Sequence, residues 1–281
     1  MDQAAAGGRL HAGLRGALGQ RRPRVPAGRH RRIATGRRAH RRGAAGAAHT
    51  ATSRVSAAVD SVAERGLWLD AQSRAAHRAD LAAFVDRALR LDDAAIIRLR
   101  TRSPGLLTAW VATGFDVLAS RVVAGEVRPA DLSVGADALA RGLAAMDDSG
   151  YVDPGFAMDS AWRGALPPES GFTHLEDIPA RVMLDLAQQG ARLAKQHSSS
   201  HGPPVSLLDQ EVIQVSSGDV EVGLPMRCVF ALTAMGFLPQ SPDAVDAGEL
   251  IRVRILPTWL RLDARFGSVY RRRGDPGLLL G

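Results

Sequence analysis

The chain has 281 residues, of which 46% are hydrophobic, enough for one large or two small domains with a substantial core. Its charge is unevenly divided. Residues 1–50 hold twelve arginines and a single acid, Asp2, for +11, while the whole chain is +7, so residues 51–281 carry −4. The basic balance therefore belongs to the N-terminal end, and it gives no warrant for reading the rest as a basic, nucleic-acid-binding body. Lys195 is the only lysine, which points to a GC-rich genome more than to a selected basic surface. Cys228 stands alone, which excludes an intrachain disulfide and fits a reducing compartment. No stretch approaches the roughly 20 apolar residues of a membrane span. The most apolar one, Leu224 to Leu238, contains Arg227. No secretory h-region precedes it, and a cytoplasmic protein is expected.

Residues 1–54 form a low-complexity Ala/Arg/Gly-rich leader with arginine clusters at 21–24, 29–32 and 37–42. So little apolar surface cannot offset the entropy of ordering, and disorder is expected. Three readings stay open: a tail for nucleic acid or anionic lipid, an organelle transit segment short of apolar residues, or translated GC-rich DNA upstream of the true start. The last is favoured. Nucleic acid as a partner would act through residues 1–54 only.

Residues 55–150 read as helix, three-stranded meander and helix. Periodicity predicts helix over Ser56 to Leu91, with Leu81, Phe84, Val85, Ala88 and Leu89 on one stripe. Ile97 and Leu99 then alternate with Arg98 and Arg100, the period of a half-buried strand. Ser103-Pro104-Gly105 supplies a turn, a second strand ends at Thr113-Gly114, and a third runs from Phe115 to a stop at Gly125. The flanking helices are expected to cover the apolar face. Asp131 opens a helix on Leu132, Ala136, Leu139 and Leu143.

Residues 151–204 contain a Gly/Pro-rich loop expected to pack Tyr151, Phe156 and Trp162 onto the core, a short strand at Phe172 to Leu175, and a helix capped by Asp177. That helix presents Ile178, Val182, Leu186 and Leu193, and a flexible linker follows over residues 197–204. Residues 205–281 read as a helix over Val205 to Val215, a turn at Ser217-Gly218-Asp219, and a helix from Leu224 to Met235 closed by Gly236. Strands follow at Leu250 to Ile255, Thr258 to Leu262 and Phe266 to Arg272. They echo the first meander, giving an α+β fold with an antiparallel meander covered by helices and repeated weakly near the C-terminus.

Chemistry-bearing clusters are few. His174, Glu176 and Asp177 offer metal-ligand types in four residues, but Asp177 serves better as a helix cap and no fourth ligand is in view. His197 and His201 have i,i+4 spacing in a sequence that disfavours a helix. Asp147, Asp148 and Asp153 lack the closing glutamate of a calcium loop. Asp209 and Glu211 read as exposed, and Cys228 reads as a small core residue. No nucleophile elbow, dinucleotide fingerprint, phosphate loop or CxxC is present, so neither an enzyme nor a cofactor is expected. The candidate interaction surface is an arginine face of Arg98, Arg100, Arg102, Arg252, Arg254, Arg261 and Arg265. Such a face docks on phosphate backbones or on an acidic protein surface, or it pairs across the ladder with its own carboxylates. The acidic balance of residues 51–281 ranks acidic-protein docking above DNA.

The leader, together with the segments Thr113 to Ala144 and Leu207 to Pro239, resembles the arginine-rich protein of the actinobacterial and mycobacterial phage-shock operon, an envelope-stress system. Ala264 to Tyr270 also resembles the start of a small actinobacterial domain found in that context. The resemblance implies a non-enzymatic cytoplasmic accessory of a membrane-stress response, acting through protein partners and in part peripheral to the inner face of the membrane. It brings no catalytic residues.

Overall fold

The computed structural model describes residues 65–70, 74–197, 203–239, 245–246 and 248–274, all within one unit spanning 51–281. The expected leader over residues 1–54 lies outside them, as do His201 and most of the expected linker at 197–204.

The meander legible in the sequence is β2 (Ile96–Ser103), β3 (Leu106–Thr113) and β4 (Val117–Arg128), paired antiparallel in that order. A second meander is built from β10 (Leu250–Leu256), β11 (Trp259–Ala264) and β12 (Gly267–Arg272). Each gains an outer strand: β5 (Asp131–Gly135) beside β2, and β7 (Thr173–Pro179) beside β10. The two four-stranded halves join where β4 pairs with β12 at Ser120↔Ser268, Ala119↔Val269 and Leu118↔Tyr270. The result is one sheet of mixed α+β architecture, ordered β5-β2-β3-β4-β12-β11-β10-β7. Because side chains alternate faces, the register places one buried row across seven strands: Val134, Ile97, Val111, Ala119, Val269, Leu262 and Val253. The helices lie against this face: α1 (Arg74–Leu91), α2 (Ala136–Ala145), α3 (Ala180–His197) and α5 (Met226–Ala234), with the short α4 (Val205–Asp209) beside α5.

Several expectations are corrected. The helix expected from Ser56 is interrupted by β1 (Gly66–Leu69), which pairs with the far end of β4 and with β6 (Tyr151–Val152). Gly125 does not stop β4; a Cβ there would sit 2.5 Å from the Trp68 carbonyl oxygen, so the residue lets β1 approach. Leu132 belongs to β5, and the helix starts only at Ala136. Asp177 is a residue of β7 rather than a helix cap. Glu211 to Ser217 is a strand, β8, which pairs with β9 (Val220–Pro225) in a separate hairpin, so the helix expected to Val215 ends at Asp209. Leu224, expected in the next helix, ends up in β9. In α3 the buried side is Ala180, Met183, Leu184 and Ala187, while Val182 and Leu193 are exposed. Phe156 is 84% exposed and does not pack on the core.

Arg227, at the start of α5 and 7% exposed, fastens the two halves. Its Nη1 donates to the Phe115 carbonyl at 2.7 Å, and its other nitrogens engage Asp209.

Two outcomes follow from this packing. Gly142 lies in α2 where a Cβ would overlap the Asp153 carbonyl oxygen. Gly142→Ala gains about 1 kcal/mol of helix propensity, but the overlap outweighs it. The variant should be less stable by about 1–3 kcal/mol in urea unfolding. Burial pushes the Cys228 thiol up to about 12 although Arg271 and Arg227 oppose it. Native protein should resist iodoacetamide near about pH 8, and urea-unfolded protein should be alkylated completely.

Candidate functional site

The face of the sheet away from the helices carries a second row in the same register: Ser133, Arg98, Trp110, Ser120, Ser268, Asp263, Arg252 and Asp177. Beside it runs Arg254, Arg261, Tyr270 and Leu118, and on the other side Asp131, Arg100, Thr108 and Val122. Five of the seven expected arginines therefore share this face by strand alternation alone. Part of it is roofed by the segment leading into β7. There Trp162, Leu166 and Phe172 pack on Trp110, Trp259 and Tyr270, with Trp110 and Tyr270 centroids 5.0 Å apart. The unroofed part is a cleft of about 390 Å³ at the fork where β4 leaves β12 to pair with β1.

Arg100, Arg102, Arg261 and Arg265 line the cleft, and Arg121 joins them. Arg98, Arg252 and Arg254 share the sheet face but stand outside the cleft. Most of these cations are matched. Arg98 donates Nε and Nη2 to the two Asp131 oxygens, each at 2.7 Å, and lies over the Trp162 ring; Asp131 accordingly raises the Arg98 pKa further above its ordinary value. Arg252 pairs with Asp177 at 3.2 Å. His174 reaches the same carboxylate at 2.9 Å, and the hydrogen bonds with His174 and Arg252 hold the Asp177 carboxyl below the usual range. Among the described residues no group of three or more His, Cys, Asp or Glu is close enough to hold a metal.

The floor of the cleft is a polar network. Asp263 Oδ1 accepts from Arg261 Nε at 2.6 Å and from Ser268 Oγ at 2.5 Å, and Arg254 stands 3.5 Å from Oδ2. Arg261 also lies over the Phe172 and Tyr270 rings. Burial pushes the Tyr270 hydroxyl up, with Arg261 and the hydroxyls of Ser120 and Ser268 opposing. On the rim, Arg121 pairs with Asp80 at 2.5 Å and donates to the Phe266 carbonyl at 2.7 Å. Arg100 is held loosely, 3.9 Å from Asp131 and 4.0 Å from Glu169. Arg265 stacks on the exposed Phe266 ring. Among the described residues neither Arg102 nor Arg265 is within ion-pair distance of a carboxylate.

Sequence reading did not single out Arg121, Thr108, Ser120 or Ser268 as site residues. The alternation that marks Arg98 and Arg100 also marks Trp110 and Thr108 once β2 is laid on β3. The seam between β4 and β12, 145 residues apart at the Arg121–Phe266 contact, carries no comparable local signal.

Residues 62–164 match the family model of a domain of unknown function (DUF8010), and residues 167–276 match that of a second such domain (DUF8185). The boundary between the matches falls just before Pro167 and Pro168, on the rim of the cleft. No curated protein matches the chain. Similar solved structures include a DNA polymerase III beta subunit from Eubacterium rectale, at a TM-score of 0.48 and 9% identity. Others are the sliding clamps of Bartonella birtlesii, bound to griselimycin, and of Bacillus subtilis, each at a TM-score of 0.47 and 11% identity. In all three comparisons 75% of this chain is covered, and the chain spans 65% of the length of the other.

Proposed function

We propose that the protein is a non-enzymatic binding module whose cleft grips an acidic segment of a protein partner. The observation that carries this reading is the charge of the cleft. Its five arginines face three carboxylates, Asp80, Glu169 and Asp263, and the excess resides on Arg102 and Arg265. Guanidinium forks match carboxylates in bidentate geometry, and the volume of the cleft lies within the range that encloses side chains of a ligand. The floor is already neutralised by its own ion pairs, so an incoming carboxylate meets free cations at the rim without breaking the network beneath. The cytoplasmic, envelope-stress setting implied by the sequence resemblance is the context proposed for this contact, with a component of the membrane-stress system as partner.

The test uses the full chain and a fluorescein-labelled glutamate-rich peptide followed by anisotropy. The wild type should bind, and binding should weaken as salt is raised. The variant carrying Arg102→Ala and Arg265→Ala should bind about tenfold more weakly, the loss of roughly 1.4 kcal/mol expected for charge-assisted contacts, with an unchanged melting temperature. Equal binding by wild type and variant would assign the affinity to the arginines of residues 1–50 and overturn the reading.

A further inference from the structure

We infer that the anion seated by Arg100, Arg102 and Arg265 is a phosphate monoester carried on the partner segment, so that the cleft reads phosphorylation. The inference rests on the acidic-segment reading and sharpens it. Its first support is charge. The lining holds five guanidinium groups and three carboxylates, a surplus of two positive charges. A single carboxylate neutralises half of that surplus, whereas a phosphate monoester carries about −1.5 to −2 near pH 7 and matches it. The second support is how the cations are distributed. Asp263 is engaged by Arg261 and Arg254, and Asp80 by Arg121, so these pairs are closed. Arg102 and Arg265 have no carboxylate within ion-pair distance among the described residues, and Arg100 is shared at 3.9–4.0 Å between Asp131 and Glu169. Three forks with spare donors converge on one cleft, and a phosphate has the oxygens to receive them together where a carboxylate has two.

The third support is the shape of the surroundings. Phe266, 39% exposed, and the Pro167-Pro168 step wall the cleft with apolar surface, against which the carrier of the phosphate can rest. The spare donors are guanidinium groups, so the carrier is held through its phosphate and its side chains. Inorganic phosphate presents the same chemistry without a carrier, and the experiment separates the two sources.

Four measurements on the full chain decide the matter, using a labelled peptide of serine flanked by glutamates, with the serine phosphorylated or not. Phosphorylation should tighten binding about tenfold, the gain of one added charge-assisted contact. That increment should vanish in the variant carrying Arg102→Ala and Arg265→Ala, although the leader is intact. It should also fade as the pH is lowered through about 6, the second ionisation of phosphate, while the unphosphorylated peptide is unaffected there. The titratable groups facing the seat are arginines, Asp80, Glu169, Asp263 and Tyr270, with Asp131 beside Arg100, and no histidine is among the described lining residues. A transition near pH 6 therefore belongs to the ligand. Competition by inorganic phosphate as strong as that of the phosphopeptide would support the phosphate seat and reassign its source to free phosphate. Equal affinity for both peptides, lost together in the variant, would overturn the inference and leave the acidic-segment reading standing. Failure of both peptides to bind would overturn both.

Discussion

The structure depends on the three residue pairs that join β4 to β12. Without Ser120↔Ser268, Ala119↔Val269 and Leu118↔Tyr270 each meander would end in an unpaired edge, and backbone donors and acceptors there would have to be covered in some other way. With them, a buried row of seven aliphatic side chains runs unbroken from Val134 to Val253, and the helices share one hydrophobic face. The contact is short, so it is backed from the helical side. Arg227 reaches from α5 to the Phe115 carbonyl at the turn before β4, and Phe84 of α1 stacks on Phe237 just past α5, with centroids 6.4 Å apart. A buried guanidinium is costly unless its donors are used, and here they are directed to a carbonyl and a carboxylate.

The brevity of the seam also creates the cleft. Beyond Ser120 the strand β4 turns to β1, while β12 starts only at Gly267, after the Arg265-Phe266 turn, so the sheet forks. Side chains that would otherwise pair across the ladder are left around an opening. The β5 end of the sheet is closed. The outer edge of β5 is covered by the chain at residues 157–159, through a bridge of Val134 to Ala157, a Met158 amide on the Ser133 carbonyl at 2.7 Å, and the Asp159 carboxylate on the Ser133 amide at 2.7 Å. An edge capped in this way is shielded from adventitious strand pairing. The fork is a concavity in which polar groups face outward, and it gathers Arg102 and Arg265.

Much of the sheet was legible because strand alternation is a local signal. Arg98 and Arg100 between Ile97 and Leu99, and Arg252 and Arg254 beside Ile251 and Val253, declare both faces directly. The misread elements share a physical cause: tertiary pairing overrode a local cue. Asp131 looks like a helix cap, yet its carboxylate serves Arg98 across the sheet. Asp177 looks like a cap before proline, yet it sits in β7 between His174 and Arg252. The buried side of α3 was hidden in part because Ala180, Ala187 and Gly190 share it with Met183 and Leu184. A Cβ on Gly190 would lie 2.8 Å from the Met226 sulfur, so α3 and α5 approach through small residues that a search for large apolar ones passes over. Of the candidate surface, the arginines were readable but their grouping was not. Whether Arg102 and Arg265 meet depends on the seam between halves far apart in the sequence.

The charge of the whole chain is a poor guide to the cleft, and so is the charge of the folded part. Residues 51–281 carry a net −4, which on its own would repel an acidic partner at long range. Beyond roughly 8–10 Å, however, exposed charges are screened at physiological salt. What a bound anion senses is the set of groups within that distance, and there the arginines exceed the carboxylates. The acidic balance of the remainder then acts on selectivity. It disfavours a long polyanion, which must lie along much of the surface, more than a short anionic group, which needs only the cleft. Distribution rather than total charge is what makes a local anion seat compatible with an acidic body, and the fork between β4 and β12 is where the fold sets that distribution.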